Sequence, residues 1–319
     1  MNIQGMHHFT GITKDAVKNK AFYTEVLGLR LVKVSVNQDT GNNFHLFYAD
    51  ALGNPGTDYT FFEFKNAGRT HFGTNSISRT SFRVKDDAAL TFWHERLREK
   101  APFVGPIYQV FGMKVFNFTD EDQQRLMLVS DDKENFNLQY AVNEHKEIPK
   151  GYEIIGLGPV FLTVRNTADT VRFLHEVLAY DLVGAYENKN LSETKVFVLE
   201  SKNSGHHSAI HVHQDSQSAD EKPGYGSVHH IALSVTDDES LQYWANRLDH
   251  FQFKHSGILN RLYFSSLYVQ DDNGIQYEIS NISPGFTVDE KLDVLGNKLS
   301  LPEKLEHRRE KLEKAIDFL

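Results

Sequence analysis

No cysteine occurs anywhere in the 319 residues. Disulfides, thiolate nucleophiles and sulfur-ligated metals are thereby excluded, so any metal must sit on nitrogen and oxygen. Basic residues are in deficit as well: 34 Lys and Arg stand against 43 Asp and Glu, a formal charge of −9. A nucleic-acid or anionic-membrane partner needs clustered Lys and Arg, and no basic face is evident. Long apolar runs are missing, so no segment spans a bilayer as a helix. The opening residues, Met-Asn-Ile-Gln-Gly-Met-His-His, have neither the basic start nor the apolar run of a signal peptide. The lack of a signal peptide and of a spanning segment leads to the expectation of a cytoplasmic protein. Hydrophobic residues at 40% and charged residues at 24% describe an ordinary globular chain, of a length that suits two domains of about 150 residues.

What the chain does have is a repeat. At a shift of 151 positions, Phe22, Glu25, Val26, Leu27, Leu31 and Val32 recur as Phe173, Glu176, Val177, Leu178, Leu182 and Val183. The same shift carries Val84, Asp86, Asp87, Leu90, Trp93, Arg96 and Leu97 onto Val235, Asp237, Asp238, Leu241, Trp244, Arg247 and Leu248. On this register His8 stands opposite Pro159, His230 opposite Arg79, and Glu278 opposite Met127. One copy of each candidate ligand is kept, and its twin is not a ligand.

Each copy divides again into two units of one plan: a short alternating strand, an amphipathic helix and three strands. The first unit reads as a strand over 6–12, a helix near 14–27 closed by Gly28, and strands near 30–36, 43–49 and 59–65. The expected class is α+β. An N-terminal domain, 1–150, holds units at about 4–66 and 77–141, and a second domain, 151–285, holds units at about 153–214 and 226–281. Ile148-Pro149-Lys150-Gly151 is the natural hinge. In the tail, 286–319, Leu305, Leu312 and Ile316 are spaced for a helix packed by one stripe.

Four such units match the vicinal-oxygen-chelate plan of the glyoxalase, bleomycin-resistance and dioxygenase superfamily. The runs Gly5-Met6-His7-His8-Phe9-Thr10-Gly11-Ile12-Thr13 and Ser227-Val228-His229-His230-Ile231-Ala232, with Asp272-Asn273-Gly274 before Tyr277-Glu278, resemble those of ring-cleaving, extradiol-type dioxygenases acting on hydroquinones. The likeness runs along nearly the whole chain.

Strand alternation selects among adjacent histidines, because neighbouring side chains point to opposite faces. His229, Ile231, Leu233 and Val235 share an apolar face, which leaves His230 with Ala232 and Ser234 on the polar one. Glu278 joins it from the last strand, where Ile275, Tyr277 and Ile279 are the apolar set. In the first unit His8 and Thr10 form the cavity pair. His8, His230 and Glu278 are then two imidazoles and a carboxylate, a facial set that leaves positions open on Fe(II), with Mn(II) a possible substitute. Ligands from the first and fourth units require those two units to face each other across one funnel. The resemblance implies further roles: Tyr268 as an acid/base or oxygen-side donor, Arg261 as the partner of an anionic oxygen, and His7, Thr10 and His229 around the ligands. Alternation puts His7 and His229 on the helix side unless the strands bulge there.

The expected activity is Fe(II)-dependent cleavage of a small aromatic diol by O2, in detoxification or aromatic catabolism, with a homodimer through exposed strand edges as the expected assembly. Two rivals remain. A glyoxalase-type isomerase would recruit Glu63, read as the first-unit counterpart of Glu278, as a fourth ligand. A non-catalytic aromatic-drug-binding protein would gain nothing from the triad. The run His206-His207-Ser208-Ala209-Ile210-His211-Val212-His213 looks metal-like but has no carboxylate in register, and it reads as a strand with alternating polar side chains.

Overall fold

The structure is a computed structural model and describes residues 1–38, 41–132, 141–188, 195–202 and 204–316. The expected ranges 4–66, 77–141, 153–214 and 286–319 therefore extend in part outside the described residues.

The first unit runs β1 (Met6–Thr13), α1 (Ala16–Ala21), β2 (Arg30–Val36), β3 (Phe44–Ala49) and β4 (Asp58–Glu63). Asp15 caps α1 by accepting from Lys18 N at 3.1 Å. The helix widens at its end, where Leu27 N–H reaches back to the Phe22 carbonyl. Gly28 then turns the chain with φ +72°, and a side chain there would collide with Ile148.

The second unit holds β5 (Ser76–Val84), α2 (Asp87–Lys100), β6 (Phe103–Val104), β7 (Tyr108–Val110), β8 (Met113–Thr119) and β9 (Arg125–Ser130). The third holds β10 (Ile154–Leu157), β11 (Val160–Val164), α3 (Thr167–Arg172), β12 (Asp181–Glu187), β13 (Lys195–Glu200) and β14 (Ile210–Gln214). The fourth holds β15 (Val228–Ser234), α4 (Asp238–His250), β16 (Leu259–Asn260), β17 (Ser265–Gln270) and β18 (Gln276–Ser280), and α5 (Arg309–Glu313) lies in the tail. Among the described residues no helix is long and apolar enough to cross a membrane.

Two sheets result, and each joins units across the chain. The first and fourth units form one sheet in the order β16-β17-β18-β15-β1-β4-β3-β2. The second and third form the other, β12-β13-β14-β11-β5-β9-β8-β6, with β10 on β5 and β7 on β8. The helices pack against the sheets, and apolar residues of the strands, such as Phe9, Tyr59 and Ile231, make one continuous core with Trp93 and Trp244 of the helices.

Apolar side chains occupy the corresponding face of the second sheet. Val110, Met113, Val115, Met127 and Val129 pack there with Tyr108, Phe161 and Tyr186, and Met127 is the residue that stands for Glu278 on the repeat. The tail closes the open edge of the first sheet: Leu299 lies opposite Val34, and Ser300 N–H donates to the Val34 carbonyl at 2.8 Å. Leu312 is buried against the core, with Leu305 and Ile316 beside it.

Candidate metal centre

β1 and β15 run antiparallel at the middle of the first sheet, with Thr10 opposite His230 and His8 opposite Ala232. His8 and His230 are thus related by a local twofold. The ladder is interrupted twice. Between Met6 and His8 two steps of β1 match one of β15, and between Val228 and His230 two steps of β15 match one of β1. His7 and His229 are the extra residues of these bulges. A bulge re-aims its side chain, which is why both histidines leave the face that strict alternation assigns them.

β18 runs parallel to β15 and sets Glu278 opposite Ala232. His8, His230 and Glu278, all buried, bring one ligand atom each to within 4.8 Å of one another. The two Nε2 atoms are 3.3 Å apart. Glu278 Oε2 lies 3.3 Å from that of His8 and 2.8 Å from that of His230. Its other oxygen, Oε1, accepts from the Ser266 and Ser280 hydroxyls, the latter at 2.7 Å. Oε1 is therefore held in place, while the buried Oε2 has no hydrogen bond of its own among the described residues. Two imidazole nitrogens and an unsatisfied carboxylate oxygen aimed at one point fit a divalent cation.

The neighbouring histidines set the tautomers. His7 Nε2 is 3.1 Å from the Asn281 carbonyl. A carbonyl only accepts, so this nitrogen carries the proton. Burial and the adjacent His8 lower the His7 pKa to about 3, which leaves its Nδ1 bare. That nitrogen accepts from His8 Nδ1–H at 2.9 Å, and the His8 Nε2 lone pair points inward. His229 Nδ1 stands 2.7 Å from His230 Nδ1 and orients that ring in the same way, with its own pKa lowered to about 4 by burial and by His230. Burial would raise the pKa of Glu278, but His8 and His230 hold it well below the usual range. Burial works against a charge on His8 as well, and there Glu278 prevails and raises its pKa.

The triad floors a cavity of about 380 Å³. His45, Phe47 and Phe62 line it from the first unit, and Leu259, Arg261, Tyr268 and Gln276 from the fourth. Arg261 Nε donates to the Tyr268 hydroxyl at 3.2 Å, and the guanidinium lies over the ring at 4.9 Å. Burial and Glu278 raise the Tyr268 pKa against the opposing pull of Arg261, so the phenol keeps its proton.

The model of the Glyoxalase/Bleomycin resistance protein/Dioxygenase superfamily matches residues 5–128 and 156–279. The chain belongs to this superfamily. It is 40% identical over 99% of both chains to MhqA of Bacillus subtilis (strain 168), which bears the name of a ring-cleaving dioxygenase. It is 27% identical to the chlorohydroquinone/hydroquinone 1,2-dioxygenase of Sphingobium indicum, over 99% of this chain and 96% of that one. A crystal structure described as a dioxygenase from Bacillus subtilis superposes with a TM-score of 0.88 at 28% identity, covering 98% of this chain and 96% of that one. Maize glyoxalase I shares the fold, with a TM-score of 0.61 at 13% identity over 88% of this chain and 92% of its own.

Members of this superfamily depend on a metal, and they make the fourth ligand the decisive question. Glu63 is not in the cavity. Its Oε1 accepts from Ala16 N at 3.0 Å, and it borders a separate cleft of about 750 Å³ between the first unit and the tail. The strand pairings give the reason. Thr10 pairs with Thr60 as Ala232 pairs with Glu278, so Thr60 is the counterpart of Glu278. Glu63 lies three positions further along β4, an odd step that turns it to the opposite face.

Thr10 is buried under the triad, its Oγ1 3.0 Å from His230 Nε2. His7 is not among the residues lining the main cavity. It borders a pocket of about 30 Å³ with Asp58, whose burial raises its pKa to about 7. His211 lies instead in the second sheet against Phe161 and Tyr186, and the side chain of His206 is outside the described residues. Sequence reasoning missed Thr60, His45, Phe47, Phe62 and Phe264. Their signal was the twofold that relates Phe47 to Tyr268 and Thr60 to Glu278, which needs the strand register to be seen.

The tautomer relay is testable at His7. His7→Phe keeps a ring of similar size and removes the Nδ1 acceptor. Metal affinity is expected to fall about 10–100-fold in competition with a chromogenic chelator. An unchanged affinity would mean that the ring only fills space.

Proposed function

We propose that the protein opens the ring of a hydroquinone or related dihydroxybenzene with dioxygen, using Fe(II) held by His8, His230 and Glu278. In class it is a ring-cleaving dioxygenase, as its full-length relatives are named. The observation that carries the reading is a donor set of two imidazoles and one carboxylate with a threonine, Thr60, in the place of a fourth ligand. Three protein ligands leave positions for a substrate oxygen and for dioxygen. When bound, Fe(II) supplies the spin-exchange route that a singlet ring and triplet dioxygen otherwise lack.

The chain's own residues do the rest. Phe47, Phe62 and Phe264 give the ring an apolar seat beside the triad and exclude water from it. Arg261 faces the same space and would hold an anionic oxygen of the substrate or product. Tyr268, protonated and tied to Arg261, would give a proton to a departing oxygen and recover it from the ring-opened acid. Overall, one ring carbon–carbon bond beside a hydroxylated carbon breaks and both atoms of dioxygen enter the product. Removal of quinone-forming phenols fits such a reaction.

The test is oxygen uptake by protein loaded anaerobically with Fe(II) and then given methylhydroquinone or, separately, catechol. Stoichiometric uptake with methylhydroquinone is expected. No uptake with either, together with Ni(II)-dependent isomerisation of a hemithioacetal, would sink the reading.

A further inference from the structure

One side chain facing the cavity has a fixed orientation and no part in holding a metal. His45 stands on β3 between two phenylalanines: its ring centroid is 4.0 Å from that of Phe47 and 4.2 Å from that of Phe62, with interplanar angles of 39° and 36°. Its Nε2 is 2.8 Å from Thr60 Oγ1, which is 2.8 Å from Thr10 Oγ1. A ring clamped on both faces and tied at one nitrogen keeps only its other edge for a ligand. No hydrogen bond among the described residues engages His45 Nδ1, and the ring is half-buried at the cavity wall.

The surroundings say what that edge would meet. Phe47 pairs with Thr60 as Tyr268 pairs with Glu278, so Phe47 is the twofold counterpart of Tyr268. The fourth unit presents a phenol and a guanidinium to the cavity, and the first presents aromatic faces around one imidazole edge. Asn37 and Gln38 also line that side, and the Gln38 amide donates to the Arg261 carbonyl at 2.9 Å.

We infer that His45 reads the end of the substrate far from the triad, by hydrogen-bonding an oxygen substituent para to the one held at His8, His230 and Glu278. It thereby favours para-diols over monophenols and catechols. The inference rests on the aromatic-diol reading of the cavity and names the specificity within it. A second hydroxyl ortho to the first would lie back beside the triad, whereas a para hydroxyl is the farthest point of the ring from it. A site built to bond a hydroxyl rejects the analogue that lacks it, because its own polar group is then left unpaired.

The test is anaerobic calorimetric titration of the Fe(II)-loaded protein with hydroquinone, phenol and catechol, for wild type, His45→Phe and His45→Gln. Wild type is expected to bind hydroquinone about tenfold tighter than phenol. His45→Phe should bring hydroquinone down to the level of phenol, leave phenol unchanged and raise KM with kcat largely kept. His45→Gln should recover most of the preference. A wild type without the preference, or a His45→Phe variant that retains it or loses both ligands equally, overturns the inference. Turnover is read separately: para preference in binding with no oxygen uptake would fail the dioxygenase reading while supporting the role of His45.

Discussion

His230→Ala is expected to lose at least about 10³-fold in metal affinity, roughly 4 kcal/mol, and with it all measurable oxygen uptake. His230 is the ligand with the shortest contact to Glu278, 2.8 Å, and it is the one that Thr10 and His229 both orient. Changes around a ligand cost 10–100-fold in many metal sites, and removing the donor atom itself must cost more. Metal content after dialysis and uptake with methylhydroquinone should fall together. His211→Ala is the matched control. It removes a histidine of the second sheet, where Met127 takes the place of a carboxylate, and should leave both readings near wild type. A His230→Ala protein that kept its metal would move the centre away from β1, β15 and β18.

Lys33→Ala is expected to lower stability by about 3–5 kcal/mol. The Lys33 side chain is 0% exposed, with Nζ 2.7 Å from Asp289, in contact with Glu290 and 3.1 Å from the Phe286 carbonyl. Tyr263 lies under the ammonium at 4.8 Å. Both carboxylates come from the tail, and Glu290 is 1% exposed, so removing the ammonium leaves a buried charge without its partner. The loss should appear in denaturant unfolding and as early proteolysis of the tail, which this cluster holds against β2. Lys33→Met combined with Glu290→Gln should recover most of the loss, since no unpaired carboxylate then remains at position 290. Phe264, beside Tyr263, packs on His7 at 4.9 Å and on His8 at 5.4 Å, so Lys33→Ala should also loosen the metal centre. A variant that unfolds like wild type would mean that the ammonium contributes nothing beyond its own desolvation.

The residues that repeat at 151 positions are structural. Trp93 and Trp244 are fully buried. Asp86 and Asp237 cap α2 and α4 through the backbone N–H groups of Ala89 and Ser240. Arg96 donates to the Glu25 and Val26 carbonyls as Arg247 does to those of Glu176 and Val177, tying each long helix to the end of the helix before it. Such residues are legible because both copies need them. The candidate ligands were legible for the opposite reason: the repeat breaks there.

Two readings turn on the point where one strand meets another. Alternation within β1 and β15 puts His7 and His229 on the helix side unless the strands bulge, and the shared ladder does bulge at both. Counting along β4 made Glu63 the twin of Glu278, and the pairing with β1 gives that place to Thr60. His45 and Phe47 carried no signal of their own, since a histidine and a phenylalanine on an alternating strand read as ordinary sheet residues.

By itself the sequence determined a duplicated α+β chain, a nitrogen and oxygen donor set, and the two imidazoles and one carboxylate that break the repeat. Tertiary structure decided how the donors are oriented, that among the described residues no second carboxylate joins them, and that apolar side chains occupy the corresponding face of the second sheet. Periodicity belongs to a single strand and survives in sequence, whereas register and bulges arise from contact between strands far apart in the chain.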